Sequence, residues 1–224
     1  MGGKDFKNQQ WSTQGSLLSS LSAPGKQCAT LSVTTPQDCG TSLWFADDSA
    51  DGQTLGETVY AVATFGELRG GNLSLVSSRD DMVTWKDEGL LLTTRAGHWD
   101  NATLSTGPSP VRLSDGNWLL LYDIDNLWPV QDPAPIPAWG RCALGWAILD
   151  QHNLTRVLAR AEEPLVHATL PWELDGATAG VIYTEGIKPE GNDTFVLYAG
   201  GGDRVVEAFR IKVEVPAAAA AGSE

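Results

Sequence analysis

Short apolar segments recur along this chain, and turn-forming residues separate each segment from the next. Gly, Asp, Asn and Pro lie between the segments, and no segment carries an apolar stripe of helical period over three turns. Val, Ile, Leu and aromatic residues, which favour extended backbone, dominate six ranges: 57–65, 72–78, 117–124, 142–149, 194–200 and 204–215. The sequence therefore predicts an all-β chain.

A larger supersecondary unit recurs in three copies along the chain. In each copy, a strand with a central aromatic residue meets a polar turn, a second strand with small residues, and then a polar strand or link. The copies cover residues 59–85, 118–158 and 195–215. Repeats of this size cannot bury their own faces and are typical of propeller blades, so we expect a partial β-propeller with about three blades. A β-sandwich has a similar number of strands and stays open as the alternative.

The two ends of the chain differ in composition from the middle. Residues 1–36 are rich in Ser, Gln, Gly and Thr without a sustained period, which predicts a loose lead segment. Residues 216–224 are of low complexity and predict a disordered tail, with a short alanine helix as the alternative. The propeller blades are therefore expected within residues 37–215.

Charge and hydropathy exclude two classes of partner. The net charge of −13 argues against nucleic acid, because phosphate backbones select clustered Lys and Arg. No apolar run reaches the roughly 18 residues of a membrane helix, so no membrane partner is expected. The spacing of Cys and His is not that of metal ligands, and no cofactor motif is present, so we expect neither a metal nor a cofactor.

Cysteines and glycosylation sequons bear on the cellular compartment. A disulfide between Cys28 and Cys39 fits an oxidising compartment and leaves Cys142 free, and three unpaired thiols are an equal alternative. The N-terminus lacks the basic start and apolar segment of a signal peptide. Four Asn-x-Ser/Thr sequons nevertheless favour an extracellular or secretory-pathway protein: Asn72, Asn101, Asn153 and Asn192.

Four phrases of the chain carry a family resemblance. They are SSRDDMVTW (77–85), GHWDNATLSTGPSPVRLSDGNWLLLYDID (97–125), RCALGWAILDQHNLTRVLARAEEPLV (141–166) and GVIYTEGIKPEGNDTFVLYAGGGDRVVEAFRIKV (180–213). In this order they resemble glycoside hydrolase family 130, the β-mannoside phosphorylases and mannosidases built on a five-bladed propeller. The resemblance covers about residues 42–215 and implies a protein that processes β-mannosides or related oligosaccharides, with only the C-terminal blades present.

Two positions depart from the family pattern. Thr103 stands where the family has a lysine, and Asp123 stands where a histidine follows the family's tyrosine. The resemblance implies that both basic positions hold phosphate in the phosphorylases. A hydroxyl and a carboxylate weaken phosphate binding, so hydrolysis is favoured over phosphorolysis, with Asp123 as the catalytic base for water.

The resemblance also implies a general acid upstream, in a Glu-Asp-Pro-Arg phrase. One alignment leaves this acid out of the chain, and the other takes QDCG (37–40) as a degraded form of the phrase with Asp38 as the acid. An inverting glycosidase needs both an acid and a base. An enzyme, a non-catalytic carbohydrate-binding propeller and an inactive fragment therefore all stay open.

Residues at strand ends are expected to line the funnel where an oligosaccharide binds. Asp123 ends a buried strand and Asp203 follows a glycine-rich run, so we expect their carboxylates to converge from neighbouring blades. The other predicted substrate-binding residues are Trp99, Asp100, Thr103, Tyr122 and Glu185. The open edges of an incomplete propeller also predict self-association.

Overall fold

The computed structural model describes residues 41–45, 58–64, 71–79, 84–125 and 141–214, with the backbone alone for 41–45. The predicted lead segment and tail, together with Cys28, Asp38 and Cys39, lie outside the described residues. In chain order the elements are β1 (Thr41–Phe45), β2 (Val59–Thr64), β3 (Leu73–Ser78), β4 (Lys86–Leu92), β5 (Thr103–Thr106), β6 (Val111–Arg112), β7 (Trp118–Asp125), β8 (Cys142–Leu149), β9 (Val157–Arg160), β10 (Val166–His167), α1 (Pro171–Leu174), β11 (Ile182–Gly191), β12 (Thr194–Gly201) and β13 (Val205–Lys212).

The strands form three antiparallel sheets that follow one another along the chain. Sheet one has the order β1-β2-β3-β4, and sheet three has the order β11-β12-β13. Sheet two is built on the pair β7-β8, with β5 and β6 along the free side of β7 and β9 and β10 along the free side of β8. The segment 107–110 separates β5 from β6 because its two prolines cannot donate to a ladder.

Sheet two packs against another sheet on each of its faces. Leu104 and Leu120 of sheet two share one buried cluster with Leu75 of sheet one. Leu119 and Leu144 of sheet two share a second buried cluster with side chains of sheet three, among them Phe195 and Leu197. Three layers in succession are the arrangement of neighbouring blades, and a sandwich has two layers.

Strand β7 therefore has no solvent-facing side. Successive side chains of a strand point to opposite faces, so the even-numbered residues of β7 meet sheet one and the odd-numbered residues meet sheet three. All of its residues are buried except the last, Asp125, which is partly exposed. This explains why the run 118–122 is apolar without alternation.

A single helical turn, α1, joins sheet two to sheet three. Its Glu173 is 1% exposed, and the carboxylate accepts hydrogen bonds from the backbone N–H groups of Thr169 and Leu170, at 2.5 Å each. Gly176 and Gly202 pack so closely that a Cβ on Gly176 would lie 2.0 Å from the carbonyl oxygen of Gly202. The turn is thereby seated against the β12–β13 connection.

The predicted all-β class is confirmed, and all six predicted strands are present as β2, β3, β7, β8, β12 and β13. The described residues form three sheets, as the three repeats predicted, but the repeat boundaries were too narrow. Sheet one continues to Leu92, and sheet three begins at Ile182. The strands that were not predicted are mostly short or polar, and β6 and β10 have two residues each.

Gly145 is a position where the packing of sheet two tolerates no side chain. A Cβ there would lie 2.5 Å from the Tyr122 ring and 2.7 Å from the Trp99 ring, both of which are buried. Gly145→Ala is expected to reduce the free energy of unfolding by about 1–3 kcal/mol, measured by urea titration. Gly200→Ala in β12 is the matched control, because a Cβ there meets nothing within 4 Å. Equal stability of both variants would contradict this account.

Candidate functional site

The end of β7 carries polar side chains to both faces of sheet two. Tyr122 points towards sheet one, and Asp123 points towards sheet three. The two side chains therefore lie on opposite faces of sheet two, and the expectation that both line the funnel stays a prediction. β7 is also an interior strand, with β5 between its end and the sheet edge. The two faces hold two distinct polar clusters.

The first cluster surrounds Asp100, which has no solvent exposure. Its carboxylate pairs with the guanidinium groups of Arg95 at 2.8 Å and Arg160 at 2.5 Å. The hydroxyl of Tyr122 donates to the same carboxylate at 3.0 Å. Trp99 stacks on Tyr122 with ring centroids 5.9 Å apart. The structure thus brings Trp99, Asp100 and Tyr122 together in a buried cluster.

The two arginines of the first cluster also bind backbone carbonyls on neighbouring segments. Arg160 donates to the Thr93 carbonyl at 2.7 Å, and its guanidinium lies 5.1 Å from the centroid of the Tyr122 ring. Arg95 donates to the Ala161 carbonyl. Burial raises the pKa of Tyr122 to about 12, against the opposing effect of Arg160. The contacts join the segment before β5 to the end of β9, which is a structural role.

The second cluster centres on Asp123, which is also fully buried. Its Oδ1 accepts hydrogen bonds from the backbone N–H of Thr184 at 3.3 Å and from the Thr184 hydroxyl at 3.4 Å. Within the described part of the chain, Oδ2 is buried and has no hydrogen-bond partner. Unlike Asp100, Asp123 forms no ion pair among those residues.

The surroundings of Asp123 favour its protonated form. Burial raises the pKa of Asp123 well above its ordinary value, and the negative charges of Glu185 and Asp125 raise it further, while the hydrogen bonds from Thr184 lower it. A base for water needs an ionised carboxylate at neutral pH. The environment therefore opposes the expected role of Asp123 as a base and suits a group that holds a proton.

Further polar side chains gather beside Asp123 where β7, β8 and β11 meet. The thiol of Cys142 is buried, and burial together with the charges of Asp125, Asp123 and Asp203 raises the pKa of Cys142 to about 12. Burial likewise raises the pKa of Tyr183, whose hydroxyl is near Cys142 and Asp125. Acidic side chains therefore act together on the groups at this edge.

Glu185 and Asp203 are the exposed acids of this edge. Glu185 is the extra residue of a β-bulge, because the register of β11 on β12 shifts between Thr184 and Gly186, and a bulge redirects a side chain. Asp203 lies in the β12–β13 turn with a φ of 51°, a left-handed conformation that aspartate tolerates. The charge of Asp203 raises the pKa of Cys142.

Thr103 lies at the same edge on β5 and is partly buried. It pairs with Asp125 in the ladder and packs against Gly71, in the turn before β3, where a Cβ would come within 2.9 Å of the Thr103 Cα. The predicted residues thus divide. Asp123, Glu185 and Asp203 belong to the edge that faces sheet three, Thr103 packs against Gly71, and the other three belong to the Asp100 cluster.

Sequence reasoning missed three residues of the second cluster. Thr184 and Tyr183 precede Glu185 directly, so the polar run at the start of an unpredicted strand was the available signal. Ser105 pairs with Asp123 in the register of β5 on β7, so their side chains share a face. Its position two residues after Thr103 was the only indication.

The described residues contain neither a metal-binding cluster nor a membrane-spanning helix. No group of three or more His, Cys, Asp and Glu side chains there is arranged to hold a metal ion. Within the same ranges, no helix has the length and apolar character needed to cross a membrane.

The three successive antiparallel sheets define this chain as part of a β-propeller. Residues 61–215, more than half of the chain, match the family described as beta-1,4-mannooligosaccharide phosphorylase. The chain belongs to glycoside hydrolase family 130.

Curated relatives match part of the chain. A 1,2-beta-oligomannan phosphorylase from Thermoanaerobacter sp. is 28% identical over 134 residues, which are 58% of this chain and 40% of that protein. A beta-1,2-mannobiose phosphorylase from Listeria innocua is 28% identical over 144 residues, 64% of this chain and 37% of that protein. The chain thus spans about two fifths of the length of these relatives.

Solved structures share the fold. The Listeria innocua beta-1,2-mannobiose phosphorylase in complex with beta-1,2-mannobiose superposes with a TM-score of 0.61 at 23% identity, covering 77% of this chain and 43% of that one. A structure reported for family members that are hydrolases of beta-1,2 mannosidic linkages in Candida mannan gives 0.57 at 23% identity, covering 74% and 46%. These relatives are five-bladed propellers, and this chain covers part of one.

Asp100→Asn tests the structural role of the first cluster. The variant leaves two guanidinium groups beside a neutral amide, so we expect the free energy of unfolding to fall by about 2–4 kcal/mol in urea titrations. Asp175→Asn, at an exposed position after α1, is the matched control and is expected to change little. A stability loss no greater than that of the control would refute the structural assignment.

Asp123→Asn tests the protonation of the second cluster. As pH rises above about 4, the unfolded chain loses this proton first while the folded protein keeps it, so wild-type stability falls until the folded pKa is passed. One proton accounts for a slope of at most about 1.4 kcal/mol per pH unit. We therefore expect the stability of Asp123→Asn relative to wild type to increase between pH 4 and pH 8. Parallel pH profiles for the two proteins would rule out a raised pKa.

Proposed function

We propose that this chain forms part of the sugar site of a protein that cleaves β-mannosidic linkages, with water as the acceptor. Membership of glycoside hydrolase family 130 supports a glycoside-processing role. The relatives named for beta-1,2-mannobiose and 1,2-beta-oligomannan support β-1,2-mannosides as the first substrates to test.

The grouping of acidic side chains at the end of β7 supports water over phosphate. The charges of Asp125 and Glu185 raise the pKa of Asp123, and that of Asp203 raises the pKa of Cys142. Phosphate approaching this edge is repelled by the same charges, and Thr103 adds a hydroxyl without a positive charge. Water carries no charge and meets no such repulsion.

Hydrolysis with inversion uses one carboxyl group as the proton donor and a second as the base for water. Asp123 is the candidate proton donor, and the exposed Glu185 is the candidate base. The proton of Asp123 goes to the glycosidic oxygen as its bond to the anomeric carbon breaks. The water oxygen bonds to that carbon, and Glu185 takes the proton from water.

A second candidate function is carbohydrate binding without turnover. It is favoured by the complete burial of Asp123, since a carboxyl with no solvent exposure reaches a sugar oxygen only if neighbouring side chains move. It is also favoured by the closed hydrogen bonding of Asp100 and Tyr122. Sugar recognition would then involve the exposed acids of the edge.

Incubation with β-1,2-mannobiose, with and without inorganic phosphate, separates these functions. We expect mannose to form without phosphate, and Asp123→Asn and Glu185→Gln each to lower the rate by about 100-fold or more. Asp175→Asn, which lies outside the site, is expected to retain the wild-type rate.

Formation of a mannosyl phosphate that depends on added phosphate would overturn the choice of water. Saturable binding of the disaccharide without any turnover would support the second candidate. If the disaccharide is neither bound nor cleaved, both candidate functions are refuted.

A further inference from the structure

The two oxygens of the Asp123 carboxyl have unequal surroundings. Oδ1 receives both hydrogen bonds, from the backbone N–H and from the hydroxyl of Thr184. Oδ2 is equally buried but has no partner among the described residues. A carbonyl-type oxygen has two lone pairs, so the two bonds from Thr184 saturate Oδ1. A proton on this carboxyl is therefore left to Oδ2.

The fold holds Thr184 at this point through the register of sheet three. Thr184 pairs with Ala199 of β12, and it is only 4% exposed. The β-bulge follows immediately, so the backbone of β11 is regular up to Thr184 and then diverts at Glu185. Thr184 thus lies in sheet three and contacts the end of β7, where its backbone N–H and its hydroxyl both donate to Oδ1 of Asp123.

We propose that Thr184 is a positioning residue that selects which oxygen of Asp123 carries the proton, by occupying Oδ1 and leaving Oδ2 as the acidic O–H. This proposal rests on the proposed function only for the step in which the proton of Asp123 is given to the glycosidic oxygen. The arrangement itself is a property of the folded chain and is measurable without turnover.

The titratable groups at and around Asp123 lie on β7, β8, β11 and the β12–β13 turn. Asp125 lies on the same strand, Cys142 on β8, Tyr183 and Glu185 on β11, and Asp203 in the β12–β13 turn. Their charges, where they have one, are negative and favour the protonated form of Asp123. The donors of Thr184 act in the opposite direction, because a hydrogen bond to the carboxylate favours its ionised form.

Thr184→Val removes the hydroxyl while keeping the branched shape and the backbone N–H, and Thr184→Ser restores the hydroxyl. With one donor lost from Oδ1, we expect the titration midpoint of Asp123 to rise by roughly half a unit or more in Thr184→Val and to return towards wild type in Thr184→Ser. The midpoint is read from the carboxyl carbon resonance of aspartate-labelled protein, and the signal missing in Asp123→Asn assigns it.

Thr194→Val is the matched control, because Thr194 lies at the other end of sheet three and its hydroxyl bonds the Asn192 carbonyl. It is expected to leave the Asp123 midpoint unchanged. Circular dichroism confirms that each variant is folded before titration, and Thr184→Ala, which also lacks the hydroxyl, provides the measurement if Thr184→Val does not fold. In that case, a midpoint in Thr184→Ala that is higher than wild type by half a unit or more supports the proposal, and one equal to wild type overturns it.

An Asp123 midpoint that is the same in wild type, Thr184→Val and Thr184→Ser overturns the proposal. So does a wild-type midpoint in the ordinary range of an exposed aspartate, near 4. If the Asp123 midpoint shifts in Thr184→Val but no protein cleaves mannosides, the positioning role is supported and only the proposed hydrolysis is refuted. If mannosides are cleaved but the Asp123 midpoint does not shift in Thr184→Val, the proposed hydrolysis is supported and the positioning role is refuted.

Discussion

Burial of sheet two on both faces is the constraint on which the rest of this structure depends. With sheet one packed on one face and sheet three on the other, strand β7 has no side that water reaches. Each polar side chain of β7 must find partners within the protein or lose its charge. Tyr122 and Asp123 meet this requirement in opposite directions and in different ways.

The two buried aspartates, Asp100 and Asp123, show how neighbours decide the state of a carboxyl group. Asp100 lies between two guanidinium groups and a tyrosine hydroxyl, so its charge is compensated where it stands. Asp123 has two donors from Thr184 and no cation among the described residues, and acids surround it. Burial without a positive partner favours the neutral form of a carboxyl group. Asp123 is therefore the better candidate for a proton donor.

Periodicity and turn residues were enough to predict the all-β class and the strands β2, β3, β7, β8, β12 and β13. They were not enough for β6 and β10, because two residues cannot display a period of two. Strand β11 was missed because Lys188, Pro189 and Glu190 interrupt its apolar pattern. Because β11 was not predicted, Thr184 was not predicted as a site residue either, although it contacts the predicted catalytic aspartate.

The order of residues in the chain already carried the family, the three repeats and the acidic character of the strand ends, because these depend on local pattern and motif. The separation of the Asp100 cluster from Asp123 could be seen only in the tertiary structure. Side chains alternate between the two faces of β7, and only the packing shows which sheet each face meets. The protonation of Asp123 required the packed sheets too. A carboxyl group acquires a raised pKa from the burial and charges around it, and residues distant in sequence, such as Glu185, supply both.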